Sequence, residues 1–334
     1  MRHPTTDAVL EVEGLTLDLA GDLAQPRLVH DVTFAVPPGA SVALIGESGC
    51  GKTMTAMAVL GLLPAAVRVG AGSVRLDGRE LLGLSPREIS AVRGGTVGAV
   101  FQDPMSSLDP TMTIGDQIAE PRILHLGERR AAARERAREL LELVGIPDAG
   151  RRVSSYPHEL SGGMQQRVMI ASAIACEPRL LIADEPTTAL DVTIQEEILE
   201  LLDELRAQTG MAVLLVTHDL GVVADVCEQV VVMYAGHVVE RAAATDLFAA
   251  PRHPYTRALL RSMPGLRAPR TLLDVIPGRV PPPGAIPAGC RFRPRCGFAV
   301  GDCTAEPGED AVADGHTTRC LRVARGDLDL EVAG

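Results

Sequence analysis

The chain has 334 residues, a 46% apolar fraction with 2% aromatics, and a formal net charge of −11, which allows one large α/β domain with an appendix, or two modest domains, around a Val/Leu/Ile/Ala core. The acidic balance argues against sequence-independent nucleic-acid binding, which rests on Lys and Arg neutralising phosphates. No run reaches about 18 apolar residues and Met1 to Ala8 is polar, so neither a bilayer span nor a signal peptide is expected.

Taken in order, Val9 to Leu19 alternates apolar and polar residues and predicts a half-buried strand. Leu28 to Val36 predicts a second, and Pro37-Pro38-Gly39 turns the chain into the apolar run Val42 to Ile45. Two strands ahead of that run predict an antiparallel β-layer laid on the core. Next comes Gly46-Glu47-Ser48-Gly49-Cys50-Gly51-Lys52-Thr53, spaced G-x4-G-K-T, and a helix-compatible run through Leu63. Strand, Gly-rich loop and helix in that order make a P-loop. The backbone N–H groups from Gly46 through Ser48, Gly49, Cys50 and Gly51 curl around phosphate oxygens at the positive end of the helix. Lys52 reaches the β- and γ-phosphates, and the Thr53 hydroxyl is placed for Mg²⁺.

Ser73 to Leu76 and Val97 to Phe101 are strand candidates, with Asp77-Gly78 a turn between them. From Ile114 to Cys176 the pattern is helical throughout; Ala133, Ala137, Leu140, Leu141 and Val144 share a face, and the Arg/Glu run opposite reads as solvated surface. Leu160-Ser161-Gly162-Gly163-Met164-Gln165-Gln166-Arg167 opens a helix, with Ser161 as N-cap and two glycines leaving bare N–H groups at its positive end. With one complete phosphate cradle already in the chain, this second anion site reads as one offered to a neighbour. Leu180 to Ala183 and Val213 to Val216 predict buried parallel strands, joined through an amphipathic helix at Gln195 to Arg206. The first ends in Asp184-Glu185: Asp184 can hold the Mg²⁺ hydration shell, and Glu185 can act as the general base on the water that attacks the γ-phosphate. Gln229 to Tyr234 and His237 to Arg241 flank the hairpin signal Ala235-Gly236. Helical pieces follow near Asp246 and from Pro254 to Met263, and the Pro/Gly-rich tail from Pro277 is expected to lack regular structure.

Seven cysteines are present, and an ATP-binding loop implies a reducing cytosol in which disulfides are rare. Cys176 and Cys227 sit in apolar contexts and read as buried and inert. Cys290, Cys296, Cys303 and Cys320 are spaced C-x5-C-x6-C-x16-C, which is not a zinc-finger pattern and leaves free thiols, zinc and an iron–sulfur cluster open. Arg291, Arg293 and Arg295 are placed to offset thiolate charge, and His316 is a possible substitute ligand for zinc.

The P-loop, the string Leu-Ser-Gly-Gly-Met-Gln-Gln-Arg at 160–167 and Asp184-Glu185 together resemble the signature of ABC-type ATPases. The resemblance runs from about Val9 to the end and implies a P-loop NTPase core at 1–250, a helical subdomain at about 112–176, and a C-terminal extension at 251–334. It implies a head-to-tail dimer with ATP clamped between one subunit's P-loop and the other's Ser161 and Gly163. By the same resemblance Gln102 is the Q-loop glutamine that contacts Mg²⁺ and couples to membrane subunits, Ala189-Leu190-Asp191 the D-loop, and His218 the switch histidine at the γ-phosphate.

Phe101-Gln102-Asp103-Pro104-Met105-Ser106-Ser107-Leu108-Asp109-Pro110, then His253-Pro254-Tyr255-Thr256, then the cysteine tail, resemble the ATPase subunits of dipeptide/oligopeptide/nickel importers. That implies import of peptides, with nickel or another small solute as the alternative, and a non-transport ABC ATPase with a metal-dependent tail as the more distant one. It further implies a second, paralogous ATPase, two membrane permeases, an extracytoplasmic binding protein, no nucleic acid, a peripheral place on the cytoplasmic face of the inner membrane, and a [4Fe–4S] cluster on the four cysteines. Two departures stand out. Leu17 and Leu19 offer only aliphatic contact where the family carries an adenine-stacking aromatic, and Cys50 replaces the more usual Ser, giving a thiol expected to be open to alkylation or oxidation.

Overall fold

The computed structural model describes residues 8–20, 26–102, 107–187, 191–262 and 275–330. β1 (Leu10–Leu19) and β2 (Arg27–Val36) pair antiparallel, and the chain then enters β3 (Ser41–Ile45). β4 (Val67–Leu76) pairs with the free edge of β1, and β5 (Arg79–Glu80) closes a four-stranded antiparallel sheet ordered β2-β1-β4-β5. The remaining strands are β6 (Val97–Val100), β7 (Leu180–Asp184), β8 (Ala212–Thr217), β9 (Gln229–Tyr234), β10 (His237–Ala243), β11 (Asp310–Ala313) and β12 (His316–Thr318). With β3 they form an eight-stranded sheet ordered β11-β12-β10-β9-β3-β8-β7-β6.

Every residue of β3 is buried, because the strand is covered on both faces. Val42 and Leu44 point toward the antiparallel sheet, into a cluster with Leu10, Leu15, Leu17 and Phe34. Ala43 and Ile45 point the other way, into the cluster that contains the helical segment. The two-residue side-chain period thus divides one continuous apolar run between two cores. β7 and β8 divide in the same way: Leu180, Ile182, Leu214 and Val216 on one side, Leu181, Ala183, Val213 and Leu215 on the other.

Several boundaries differ from the sequence expectation. The helix after the P-loop ends at Leu60, where Gly61 takes a left-handed cap (φ 61), rather than running to Leu63. β4 begins at Val67, six residues before the apolar alternation; Val67–Gly72 is mostly exposed and is made a strand by its ladder to β1. Residues 114–176 are not helical throughout. Helices at Ile114–Leu126, Arg130–Leu143 and Gly162–Ala173 are separated by Gly127 and Gly145 in the left-handed region, the short helix Ala149–Arg152 and a 3-10 turn at Pro157–Glu159. Ala133, Ala137, Leu140, Leu141 and Val144 are buried, and Arg138 pairs at the surface with Glu135 and Glu142.

The tail is not irregular, contrary to the expectation from its Pro/Gly content. β12 pairs antiparallel with β10 (Glu240↔Thr318, Arg241↔Thr317), β11 pairs with β12, and a short helix follows at Leu321–Ala324. Strands of three and four residues are too short to display a pattern, and only the partner β10 makes them visible. Among the described residues no helix is long and apolar enough to cross a membrane.

Candidate active site

Sheet register gathers the functional candidates at one edge. Ile45 pairs with Thr217, and Val216 with Asp184, so the carboxyl ends of β3, β8 and β7 lie side by side. The residues that follow these ends are Gly46, His218 and Glu185. An open parallel sheet presents its ligand crevice at these ends.

The P-loop is held in a conformation that needs its glycines. Gly46 has φ 148, and a Cβ there would lie 2.2 Å from the Met233 carbonyl oxygen; Gly51 has φ 107 and forms the N-cap of the Lys52–Leu60 helix. Gly49 also adopts a positive φ, while Ser48 is exposed. Lys52 is buried, and its Nζ donates to the Gly46 carbonyl at 2.6 Å and the Glu47 carbonyl at 3.4 Å. Cys50 has no exposed surface, and burial pushes its thiol up. The expectation of a modifiable thiol there is therefore overturned: the side chain points into the core beneath the loop. Leu17 is fully buried as well, so of the two residues considered against an adenine ring only Leu19 offers surface.

Thr53 Oγ1 donates to Asp184 Oδ1 at 3.3 Å, which brings two hard oxygen donors together beside the loop, a set suited to Mg²⁺. Burial raises the Asp184 carboxyl above its ordinary value, and the neighbouring Glu185 adds to the rise, while the Thr53 hydroxyl and Lys52 pull against it. Glu185 sits at φ 49, a left-handed backbone that turns its side chain off the strand direction, and its Oε1 lies 3.2 Å from His218 Nδ1. His218 is 60% exposed and Glu185 19%, so the pair opens onto the crevice.

Other candidates stand apart. Ser161 accepts from Met164 N at 3.4 Å and caps the Gly162–Ala173 helix, and a Cβ on Gly163 would meet Ile194 Cγ2 at 3.1 Å. These partners lie on helices 162–173 and 192–209, not on the P-loop. Gln166, on the helix that Ser161 caps, donates to the Pro186 carbonyl, and so ties that helix to the segment after Glu185. Gln102 is exposed at the end of the segment following β6. Beside it a groove lined by Leu60, Leu62, Phe101, Leu108, Met112 and Met169 separates the sheet from the helical segment. Asp191 is exposed at the start of the Val192–Thr209 helix; Ala189 and Leu190 lie outside the described residues, as do Asp103 to Ser106.

The four C-terminal cysteines line one cavity with His253, Phe292, Phe298 and Leu321, and Cys290 N–H donates to the Cys303 carbonyl at 3.0 Å. Burial, then the neighbouring thiols, pushes Cys290 up and Cys296 up to about 11. Thiolates here need a cationic group to offset them. Four sulfurs on one zinc would lie about 3.8 Å apart, given Zn–S bonds of about 2.3 Å. Among the described residues His30, His237 and Glu306 form a group of three His, Cys, Asp or Glu whose ligand atoms all lie within 4.8 Å of one another. Four thiols lining one cavity are a donor set that suits either zinc or an iron–sulfur cluster. At the His30 cluster, Arg291 and Arg27 lie 3.0 and 2.8 Å from the two ring nitrogens of His30, and their charge opposes a cation. His316 is held by Glu240 at 2.7 Å rather than facing the cysteines, and Arg291 and Arg295 turn away from them. Cys176 and Cys227 are buried, as expected.

Sequence reasoning missed where Tyr255 and Arg295 go. The Tyr255 hydroxyl accepts the Glu47 N–H at 2.8 Å, and Arg295 makes a two-pronged pair with the Glu47 carboxylate at 2.7 and 3.0 Å. Only the sequence contexts His253-Pro254-Tyr255-Thr256 and Arg291 to Arg295 marked these residues, with no sign that both end at the P-loop.

A family model described as ABC transporter matches residues 29–188, and one described as oligopeptide/dipeptide transporter, C-terminal region, matches 239–303. The chain is 50% identical over 324 residues to a probable peptide ABC transporter ATP-binding protein of Sinorhizobium fredii, covering 96% of each. It is 46% identical over 314 residues to the dipeptide transport ATP-binding protein DppD of Escherichia coli, covering 94% of this chain and 96% of that one. Among solved structures it is similar to a dimeric ATP-binding cassette in a post-hydrolysis state with ADP and Pi (TM-score 0.63, 28% identity, 70% of this chain and 98% of that one). It is also similar to CbiO1 of Clostridium perfringens (TM-score 0.63, 27% identity, 73% and 91%).

Proposed function

This chain belongs to the ATP-binding subunits of ABC transporters of the peptide/dipeptide importer family, and from that premise we propose that it hydrolyses ATP to drive peptide uptake through partner permeases. The observation that carries the mechanism is the convergence of the P-loop, the Thr53–Asp184 contact and the Glu185–His218 pair at one sheet edge. The backbone of residues 46–51 and Lys52 cradle the phosphates. Thr53, Asp184 and Gln102 would hold Mg²⁺, which when bound would supply charge neutralisation to the phosphates. Glu185 takes the proton of the attacking water, and His218, in contact with its carboxylate, orients it and senses the γ-phosphate.

Ser161 and Gly163 serve a second, paralogous ATPase in a head-to-tail dimer, with Asp191 at the junction. Their neighbours Met164 and Ile194 belong to helices 162–173 and 192–209 rather than to the P-loop, which supports that reading. The groove beside Gln102 seats a cytoplasmic segment of a permease, which holds the protein peripherally at the inner face of the membrane while an extracytoplasmic binding protein supplies peptide. On this reading residues 1–250 form the nucleotide-binding domain, with a helical subdomain at about 112–176, and 251–334 an extension whose Cys290, Cys296, Cys303 and Cys320 hold a [4Fe–4S] cluster. Four cysteines lining one cavity match the four-thiolate ligand set of such a cluster, with zinc as the alternative.

The test is co-purification of the membrane complex with its subunits identified by mass, followed by ATPase assay with and without peptide-loaded binding protein. Peptide-stimulated turnover supports the reading; a complex lacking permeases, or turnover indifferent to peptide, overturns it. Iron and acid-labile sulfide per chain decide the cluster.

A further inference from the structure

The cysteine cavity and the P-loop are joined through two short stretches of chain. His253 lines the cavity, and Tyr255, two residues on, accepts the N–H of Glu47 inside the P-loop. Cys296 lines the cavity, and Arg295, the residue before it, grips the carboxylate of the same Glu47. The Arg295 side chain is only 4% exposed, and its remaining donors are spent on fixed acceptors: Nε on the Pro277 carbonyl at 2.7 Å, with Tyr234 Oη and the Ile276 carbonyl each at 3.4 Å. Tyr255 has no exposed surface, and its ring packs against Tyr234 and Phe292, the latter itself a cavity wall. One P-loop residue is thus held by both its backbone and its side chain, and both anchors come from stretches that line the cysteine cavity. A guanidinium fork and a buried phenol fix direction as well as distance.

We infer that Arg295 and Tyr255 are positioning residues of the nucleotide site, and that the cysteine cavity sets the posture of the P-loop through them. Neither touches nucleotide in this account; each acts through Glu47. The inference rests on the reading of residues 46–53 as the phosphate cradle.

The test measures MgATP dissociation constants, KM, kcat and melting temperature on the full chain for Arg295→Gln, Arg295→Lys, Glu47→Gln, Tyr255→Phe and the Arg295→Gln/Glu47→Gln double variant, with Lys52→Ala as reference. Arg295→Gln and Glu47→Gln should each weaken MgATP about tenfold, a change that falls on KM more than on kcat. The double variant should be no worse than either single one, Arg295→Lys should recover part of the loss, and Tyr255→Phe should weaken binding by a smaller factor. Effects that multiply independently, or a lowered melting temperature with unchanged MgATP affinity, overturn the inference and leave an ordinary structural brace. If Arg295→Gln does not fold, the Lys and Phe variants decide the same question. Should Lys52→Ala bind MgATP normally, the nucleotide-site reading itself fails, an outcome distinct from failure of the brace.

Discussion

Glu185 Oε1 and His218 Nδ1 lie 3.2 Å apart, at the ends of the parallel strands β7 and β8, whose register sets Asp184 against Val216. The contact depends on Glu185 adopting a left-handed backbone at the strand end, with its N–H given to the Val216 carbonyl at 2.8 Å. A carboxylate so placed has the His218 ring as a partner that fixes its direction.

Glu185→Gln keeps the shape and removes the base. It should bind MgATP as the wild type does and accumulate a nucleotide-bound dimer, while phosphate release falls by about 10²–10⁴-fold. Phosphate-release kinetics with light scattering check this; near-normal hydrolysis removes Glu185 from the role. His218→Ala should lower turnover with little change in MgATP affinity.

Asp184→Asn should abolish the gain in thermal stability that Mg²⁺ with ATP gives the wild type, a gain of about 2.7 kcal/mol when ligand is at a hundredfold excess over its Kd. Without Mg²⁺ the variant should melt no lower than the wild type, since burial opposes the Asp184 charge. Because that carboxyl's pKa is raised above 3.8, acidification should weaken Mg²⁺ binding at a higher pH than for an exposed aspartate. Scanning calorimetry with and without Mg²⁺, across pH, reads both effects.

Acid should destabilise the fold through His237. Burial, then Arg291, Arg319, His30 and Arg27, hold its pKa down at about 2, against 6.5 in the free side chain. Glu306, 3.9 Å away, is the acidic group facing it. The unfolded chain therefore takes up a proton near pH 6.5 that the folded chain refuses until about pH 2, so stability is full above pH 6.5 and declines as pH falls below it. His237→Gln should flatten the melting temperature between pH 5 and 6.5; an unchanged slope assigns the acid sensitivity elsewhere.

Thiol labelling should split the cysteines into two sets. Cys50, Cys176 and Cys227 are buried, with thiols pushed up by desolvation, Cys227 to about 12. The four cavity cysteines are partly exposed. Under native conditions with a chelator present, alkylation counted by mass should reach Cys290, Cys296, Cys303 and Cys320 and spare the other three until the chain is unfolded. Early loss of the Cys50 thiol counts against its burial beneath the loop.

How much of this is legible before folding depends on the range of the interaction. Gly46 to Thr53 declares itself because much of what it needs is local: Gly46 and Gly51 take backbone angles that side chains oppose, and Lys52 and Thr53 stand at fixed offsets along the following helix. β3, β7 and β8 were legible as continuous apolar runs because both of their faces are covered. β12 was not, since three residues whose strand character comes from pairing with β10 leave no periodic trace. Nor did Arg295 reveal its partner: Glu47 lies 248 residues away along the chain.

The sequence by itself determined a P-loop enzyme of the ABC type with a cysteine-bearing tail, because motifs written within a dozen residues encode their own backbone geometry and donor chemistry. Only the tertiary structure decided which strand ends meet, that Cys50 is sealed while Leu17 is spent in the core, and that the tail joins the main sheet and grips the phosphate loop. Those outcomes follow from sheet register and burial, which are set by which surfaces exclude water against one another, and no local spacing of residues records that.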